Sequence, residues 1–191
     1  MIRRVIAGTL LAGVLVTAGF AQVDKKKLMT ENPQSPAKEA TVSVDGKQIW
    51  ILYHAPSVRG RKIFGGADAL QPDDSVWRAG ADYATVLHTD AALDLGGVAV
   101  PAGEYSLYVF VDKGKWQLIV NKQTGQWGIT RQGGTTLDES QNVGKANMTM
   151  SKPPAPVEVF QIALSSRGGG KGALRMEWEN VVASVPFTVK K

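Results

Sequence analysis

The chain has 191 residues, of which 43% are hydrophobic and 20% charged, which suits one well-cored globular domain and is short for two. It contains no cysteine, which excludes disulfides, thiolate metal sites and a thiol nucleophile. Removing Arg3 and Arg4 with an N-terminal leader leaves 20 basic and 17 acidic residues, and this mild positive charge argues against a nucleic-acid partner.

The N-terminus has the order of a secretory signal peptide. Two arginines precede an apolar run over residues 5–16, and small residues surround a cleavage point after Ala21. The run is shorter than the roughly 20 apolar residues that a membrane-spanning helix needs. We therefore predict a signal peptide over residues 1–21, no transmembrane segment after its cleavage, and an exported, periplasmic protein. Residues 22–39, with three consecutive lysines, predict a flexible lead-in.

From residue 40 the pattern becomes that of β-strands. Two β-prone runs, 40–44 and 47–55, flank an Asp-Gly dipeptide, which is a strong hairpin signal. Apolar side chains occupy both faces of the second run, so we expect that strand to be buried on both sides.

The remaining β signals extend to the C-terminus. Strands or hairpins are predicted at 84–89, 92–103, 104–111, 115–121, 147–151, 157–164, 173–178 and 181–189. Residues 122–145 predict a long loop, and loops of this length are commonly functional or mobile. Roughly ten short strands separated by turn signals predict an all-β fold, a single antiparallel, jelly-roll-like β-sandwich domain over residues 40–191.

One segment, residues 53–85, interrupts this pattern and is called the 53–85 block below. It is polar and glycine-rich, which is typical of a loop held by a rigid scaffold, where binding groups concentrate. Its ligand-capable side chains are Arg59, Arg61, Lys62, Trp77, Arg78, Asp82 and Tyr83.

The basic residues of this block predict a cationic pocket, with Trp77 and Tyr83 as stacking platforms. Guanidinium groups match carboxylate or phosphate oxygens in bidentate fashion, and an adjacent aromatic face suits a sugar ring. A structural interpretation stays open beside this one. In that interpretation Arg78 pairs with Asp82 or Glu104 and pins the block to the sheet.

Several phrases occur together in a fixed order along the chain. They are Tyr53 with Pro56, VRGRKIFGG at 58–66, WRAGADYAT at 77–85, VPAGEYSLY at 100–108, and Trp116 and Asn121 followed by Trp127-Gly128. In this order and spacing the chain resembles the bacterial family known as domain of unknown function 2911, over about residues 40–189. The resemblance implies an exported or envelope-associated, β-rich protein and implies no particular activity.

The chain departs from this family at one phrase, which usually reads closer to WR-x-GANEAT. Here Asp82 stands in place of the asparagine and Tyr83 in place of the glutamate. If that glutamate were a catalytic acid or metal ligand of the family, this chain would lack it. The departure argues against carboxylate chemistry at this loop.

Other constellations carry weaker signals. His88 and Asp90 share a strand face, with His54 as a third ligand candidate, but no metal motif has this spacing, so we predict no metal and no cofactor. No serine has a nucleophile-elbow context. Glu177 and Glu179 resemble the carboxylate pair of a sugar cleft, but a solvated sheet face is the simpler explanation and the one we favour.

We predict a non-enzymatic β-sandwich that binds a small anionic or glycan-like ligand, or a protein partner. The expected binding residues are Arg59, Arg61, Trp77, Arg78, Asp82, Tyr83 and Glu104. Two alternatives stay open: an envelope carbohydrate hydrolase that uses Asp82 or Glu104 beside Arg78, and a purely structural envelope component. The sequence does not indicate an oligomeric state.

Overall fold

A computed structural model describes residues 24–30 and 33–190 of the chain, so the predicted signal peptide lies outside the described residues. In this part of the chain, thirteen strands form two antiparallel sheets that pack together. The predicted all-β, antiparallel sandwich is therefore confirmed. Within the same residues, no helix has the length and apolar character needed to cross a membrane.

The elements follow one another along the chain with short connections outside the 53–85 block and the 122–141 segment. They are α1 (Lys25–Thr30), β1 (Ala37–Val44), β2 (Lys47–His54), β3 (Ser75–Trp77), β4 (Ala81–Thr89), β5 (Leu93–Leu95), β6 (Val98–Val100), β7 (Gly103–Val111), β8 (Gln117–Asn121), a 3-10 turn (Glu139–Gln141), β9 (Asn142–Asn147), β10 (Thr149–Ser151), β11 (Val157–Gly168), β12 (Lys171–Glu179) and β13 (Val181–Val189).

Sheet one has the strand order β1-β2-β4-β7-β8-β9. The short strand β3 pairs with the part of β7 that lies beyond the end of its pairing with β4. Sheet two has the order β11-β12-β13-β5-β6, and β10 pairs with β13. The sheets approach each other along both sides, where β1 lies near β11 and β6 lies near β9. Most strand-to-strand links join neighbours in sequence, as expected for antiparallel sheets built from hairpins.

The main core lies between the sheets and ends in an aromatic cluster beneath the 53–85 block. The Trp77 ring stacks on Trp178 of β12, with ring centres 5.7 Å apart and an angle of 25° between the planes. Phe64 and Phe160 meet Trp77 edge-on, at 5.7 and 4.9 Å. This cluster fixes the block to both sheets.

The outer face of sheet one is also covered. Leu28 of α1 packs on Leu52 and Val86, which confirms the prediction that β2 is buried on both sides. Farther along the sheet, Leu137 packs over a second patch that contains Tyr108. The long connection between β8 and β9 therefore acts as a third layer over part of the sandwich.

Three boundaries differ from the sequence predictions. The predicted loop over 122–145 is wrong at its end, because β9 begins at Asn142 and pairs with β8. This edge strand is polar and carries Gly144, so it lacks the apolar alternation that identifies strands. The segment predicted as a flexible lead-in holds α1, and β1 begins at Ala37. The 53–85 block contains the short strand β3 and the beginning of β4, which starts at Ala81.

We expect Gly144→Ala to destabilise the sandwich where the two sheets meet. A Cβ at this position would lie 2.6 Å from Cγ1 of Val98 on β6, a distance that requires the strands to move apart. Overpacking of this kind costs about 1–3 kcal/mol. Urea unfolding would measure the loss, with Gly134→Ala as the matched control because its nearest neighbour, the Thr130 hydroxyl, would be 3.6 Å away. Equal stability of the two variants would contradict the prediction.

Candidate functional site

A cavity of about 490 Å³ lies at the end of the sandwich that the 53–85 block closes. Strands β2 and β12 end there and β4 and β11 begin there, so side chains from both sheets meet at one place. Among the described residues that line it, three are arginines, Arg59, Arg61 and Arg78, and none is acidic. The cavity is therefore a cationic pocket formed largely by the predicted block.

Arg59 and Arg61 lie at the exposed side of the cavity and have different roles. Arg61 donates from Nε and Nη2 to the carbonyls of Val58 and Ser57, at 3.0 and 2.6 Å, so its guanidinium braces its own turn. The backbone N–H of Arg59 donates to Oε1 of Glu158, at 2.9 Å. The Arg59 guanidinium makes no hydrogen bond or ion pair with the residues that the structure describes. It is thus available to a ligand.

Trp77 does not have the open face that a stacking platform needs. The residue is 3% exposed, and its indole N–H donates to the carbonyl of Gly80 at 3.0 Å. The predicted stacking role of Trp77 is therefore wrong, because its ring is buried and anchors the 53–85 block in the core. Trp178 also lines the cavity and is buried, and its indole N–H has no acceptor in the described part of the chain.

Arg78 is half-buried at the inner side of the cavity. Its Nη1 donates to the backbone carbonyl of Trp127 at 2.9 Å, and its Cζ lies 5.4 Å from the centre of the Trp127 ring. Burial lowers the pKa of Arg78, and the nearby charge of Asp82 partly opposes that shift. Arginine stays protonated in either case, so the cavity keeps this positive charge.

Asp82 is a structural residue of the site. It is 2% exposed, and its carboxylate accepts the backbone N–H groups of Gln34 and Ser35 at 3.2 and 2.9 Å. Its φ of 54° lies in the left-handed region, which aspartate tolerates better than most residues. Gln34 and Ser35 line the cavity, so Asp82 builds one wall by tethering the N-terminal segment. It does not itself line the cavity.

Tyr83 and Trp127 form an aromatic pair beside Arg78. Their ring centres are 5.2 Å apart and their planes meet at 68°. Tyr83 lies on β4, which begins at Ala81, three residues before the predicted strand, whereas Trp127 belongs to the segment over 122–141 that crosses the outer face of sheet one. Trp127 is not among the predicted binding residues, although the Trp127-Gly128 phrase of the family resemblance was the signal that could have identified it.

Glu104 lies away from the cavity. It pairs in register with His88, and its Oε1 is 3.4 Å from Nδ1 of that histidine. His88 is six residues beyond Asp82 on β4, or roughly 20 Å along the strand. The structure therefore does not bring Glu104 together with Arg78. Nowhere in residues 24–30 and 33–190 do three or more His, Cys, Asp or Glu side chains form a group that could hold a metal ion.

His54 lies on the outer face of sheet one, close to Tyr83. It is 2% exposed, and its ring centre is 6.2 Å from that of Tyr83. Burial lowers the pKa of His54, while the charge of Asp82 and a hydrogen bond with the Leu28 backbone act in the opposite direction. We infer a neutral imidazole at neutral pH.

The family of this chain is shown by comparison with known proteins. Residues 35–187 match the family described as Protein of unknown function (DUF2911). The chain belongs to this family. The match confirms the resemblance seen in the sequence, and it spans the 53–85 block and Trp127. Neither a curated protein nor a solved structure gives a significant match to the chain.

We expect Asp82→Ala to destabilise this DUF2911 protein by about 2 kcal/mol, because two backbone N–H groups would lose a buried acceptor. Urea unfolding would measure this loss. Asp74→Ala is the matched control, since Asp74 has a φ of 59° and alanine meets similar backbone strain there. A similar loss in both variants would mean that strain, and not the tether, explains the effect.

We expect His54 to make stability depend on pH. Burial lowers the folded-state pKa of His54 below its usual 6.5, so the unfolded chain takes up a proton first as the pH falls. The free energy of unfolding should therefore decrease as the pH falls from neutral through 6.5 toward the folded-state pKa. His54→Gln should flatten this dependence, whereas His88→Gln should retain the contribution of His54. The prediction would be contradicted if the free energy of unfolding had the same dependence on pH in wild type and in His54→Gln.

Proposed function

We propose that this protein binds a small anionic ligand, one that carries a carboxylate or phosphate group, in the arginine-lined cavity. The observation that carries the proposal is the convergence of three arginines on a cavity whose described lining contains no acidic side chain. A recess lined by one sign of charge concentrates ions of the opposite sign. The signal-peptide pattern supports binding in the cell envelope.

The three arginines of the cavity have different roles in the proposed binding. Arg59 has the available guanidinium, and its planar fork can pair with two oxygens of one anionic group. Arg61 is committed to backbone carbonyls and shapes the turn, while it still adds positive charge. Arg78 is held by the Trp127 carbonyl, so it presents a fixed charge from a partly desolvated position.

The cavity also has the size and apolar surface of a small-molecule site. Its volume of about 490 Å³ falls within the roughly 300–1,000 Å³ that is typical of ligand pockets. Leu70, Val76 and Ile129 contribute apolar side chains to its lining, and Ser57 and Ser75 contribute hydroxyl groups. A ligand with a small carbon skeleton and an acidic group would match both parts of this surface.

Binding is better supported than hydrolysis. Glycoside hydrolysis needs two carboxyl groups that flank the scissile bond. In the described lining of the cavity no carboxylate is present, since Asp82 is bonded to backbone N–H groups and Glu104 lies beside His88. These placements favour the binding role over the hydrolase alternative.

The test is the Arg59→Gln variant, measured by calorimetry and thermal unfolding against inorganic phosphate, citrate and galacturonate. At least one of these anions should bind the wild type and raise its melting temperature, as a ligand selective for the folded state does. Loss of a charge-assisted contact should weaken binding by about ten- to a hundredfold. The melting temperature of the free variant should not change, because the Arg59 guanidinium has no described structural partner.

Arg167→Gln is the matched control, because Arg167 lies near the tip of the β11–β12 hairpin and does not line the cavity. It removes the same charge from the whole molecule and should leave the affinity unchanged. The proposal fails if no anion of the panel binds the wild type, or if Arg59→Gln binds as tightly as the wild type.

A further inference from the structure

Trp127 is a large apolar side chain that folding leaves in contact with water. It is 46% exposed, and the other large hydrophobic residue with comparable exposure in the described chain, Leu70, is 43% exposed. Leu70 lines the cavity, and Trp127 contacts Arg78, which also lines it. Both exposed apolar side chains are therefore associated with the same site. Exposed apolar surface beside a polar recess is typical of a binding surface.

The exposed indole is nevertheless held in place. Arg78 bonds the Trp127 backbone carbonyl and lies over the ring, and Tyr83 contacts the ring edge-to-face. Gly128 lets the chain pass close to Arg78, since a Cβ there would lie 3.0 Å from Cβ and Cδ of that residue. A side chain that is ordered before binding loses little entropy when a ligand docks on it. Trp127 has the properties of a preformed platform.

We propose that Trp127 forms a second subsite, which binds a sugar ring next to the arginine cavity, and that the ligand is an acidic oligosaccharide. The carboxylate of one sugar unit pairs with Arg59 and Arg78, and the neighbouring unit lies on the indole of Trp127. The C–H face of a pyranose packs on an electron-rich aromatic face, while its hydroxyl groups stay in water. This inference rests on the proposed function and specifies the ligand class for the same site.

The test compares galacturonate with digalacturonate by calorimetry, in wild type and in Trp127→Ala. In the wild type the disaccharide should bind about tenfold more tightly, because only it reaches the platform. In Trp127→Ala this ratio should fall to near one. The affinity for galacturonate should change little, since Arg78 is held by the backbone carbonyl of residue 127, which the substitution retains.

Two control variants separate stacking from loss of apolar area. Trp127→Phe keeps an aromatic face and should retain most of the disaccharide preference. Leu70→Ala removes the other exposed apolar side chain of the cavity region and should affect both ligands equally. Loss of the preference in Leu70→Ala to the same degree as in Trp127→Ala would overturn the platform.

The other outcomes distinguish the inference from the proposed function. If both acids bind and the ratio is the same in wild type and Trp127→Ala, the platform is overturned while the anion site stands. If phosphate or citrate binds and neither sugar acid does, the ligand class is overturned and the anion site again stands. Binding of phenylacetate that depends on Trp127, without any preference for digalacturonate, would also overturn the sugar assignment. If no anion binds, both proposals fail.

Discussion

The buried indole of Trp77 links the two sheets and the 53–85 block at one point. Its ring stacks on Trp178 of sheet two, while its N–H closes a turn by donating to the carbonyl of Gly80. The strand that carries it, β3, pairs with β7 of sheet one. Because Arg78 follows Trp77 directly, this anchor fixes where the arginine leaves the core. The position of the cavity depends on that anchor.

A second constraint builds the part of the cavity wall that comes from the N-terminal segment. The carboxylate of Asp82 holds the backbone at Gln34 and Ser35, so a segment before β1 becomes part of the site. Leu28, which also precedes β1, packs on the outer face of sheet one. Asp82 therefore supports the site by accepting hydrogen bonds from the backbone. Its carboxylate does not face the arginines of the cavity. That arrangement is why anion binding fits the geometry better than acid–base chemistry.

Much of the fold could be predicted from the sequence because alternating apolar residues and Asp-Gly or Gly-Gly turns mark hairpins locally. The strands that the sequence patterns did not predict were short or polar. β3 has three residues, and β9 is an edge strand whose Gly144 is required by the closeness of Val98 on another sheet. Neither feature has a periodic signal. For the site, the sequence indicated the 53–85 block and its arginines. It wrongly indicated an open face for Trp77 and a place beside Arg78 for Glu104. Both errors have one cause, because burial and strand register are properties of the assembled sheets.

The sequence by itself determined the all-β class, the family and the segment that carries the cationic residues, since each depends on residue types at short spacing. Only the tertiary structure decided which of these residues share a cavity. Arg59 and Arg78 come together there, and Asp82 turns to the N-terminal backbone. Trp127 contacts Arg78 from a segment 49 residues farther along the chain. The physical reason is that strand pairing and the aromatic core bring distant segments together, and local patterns do not encode those distances.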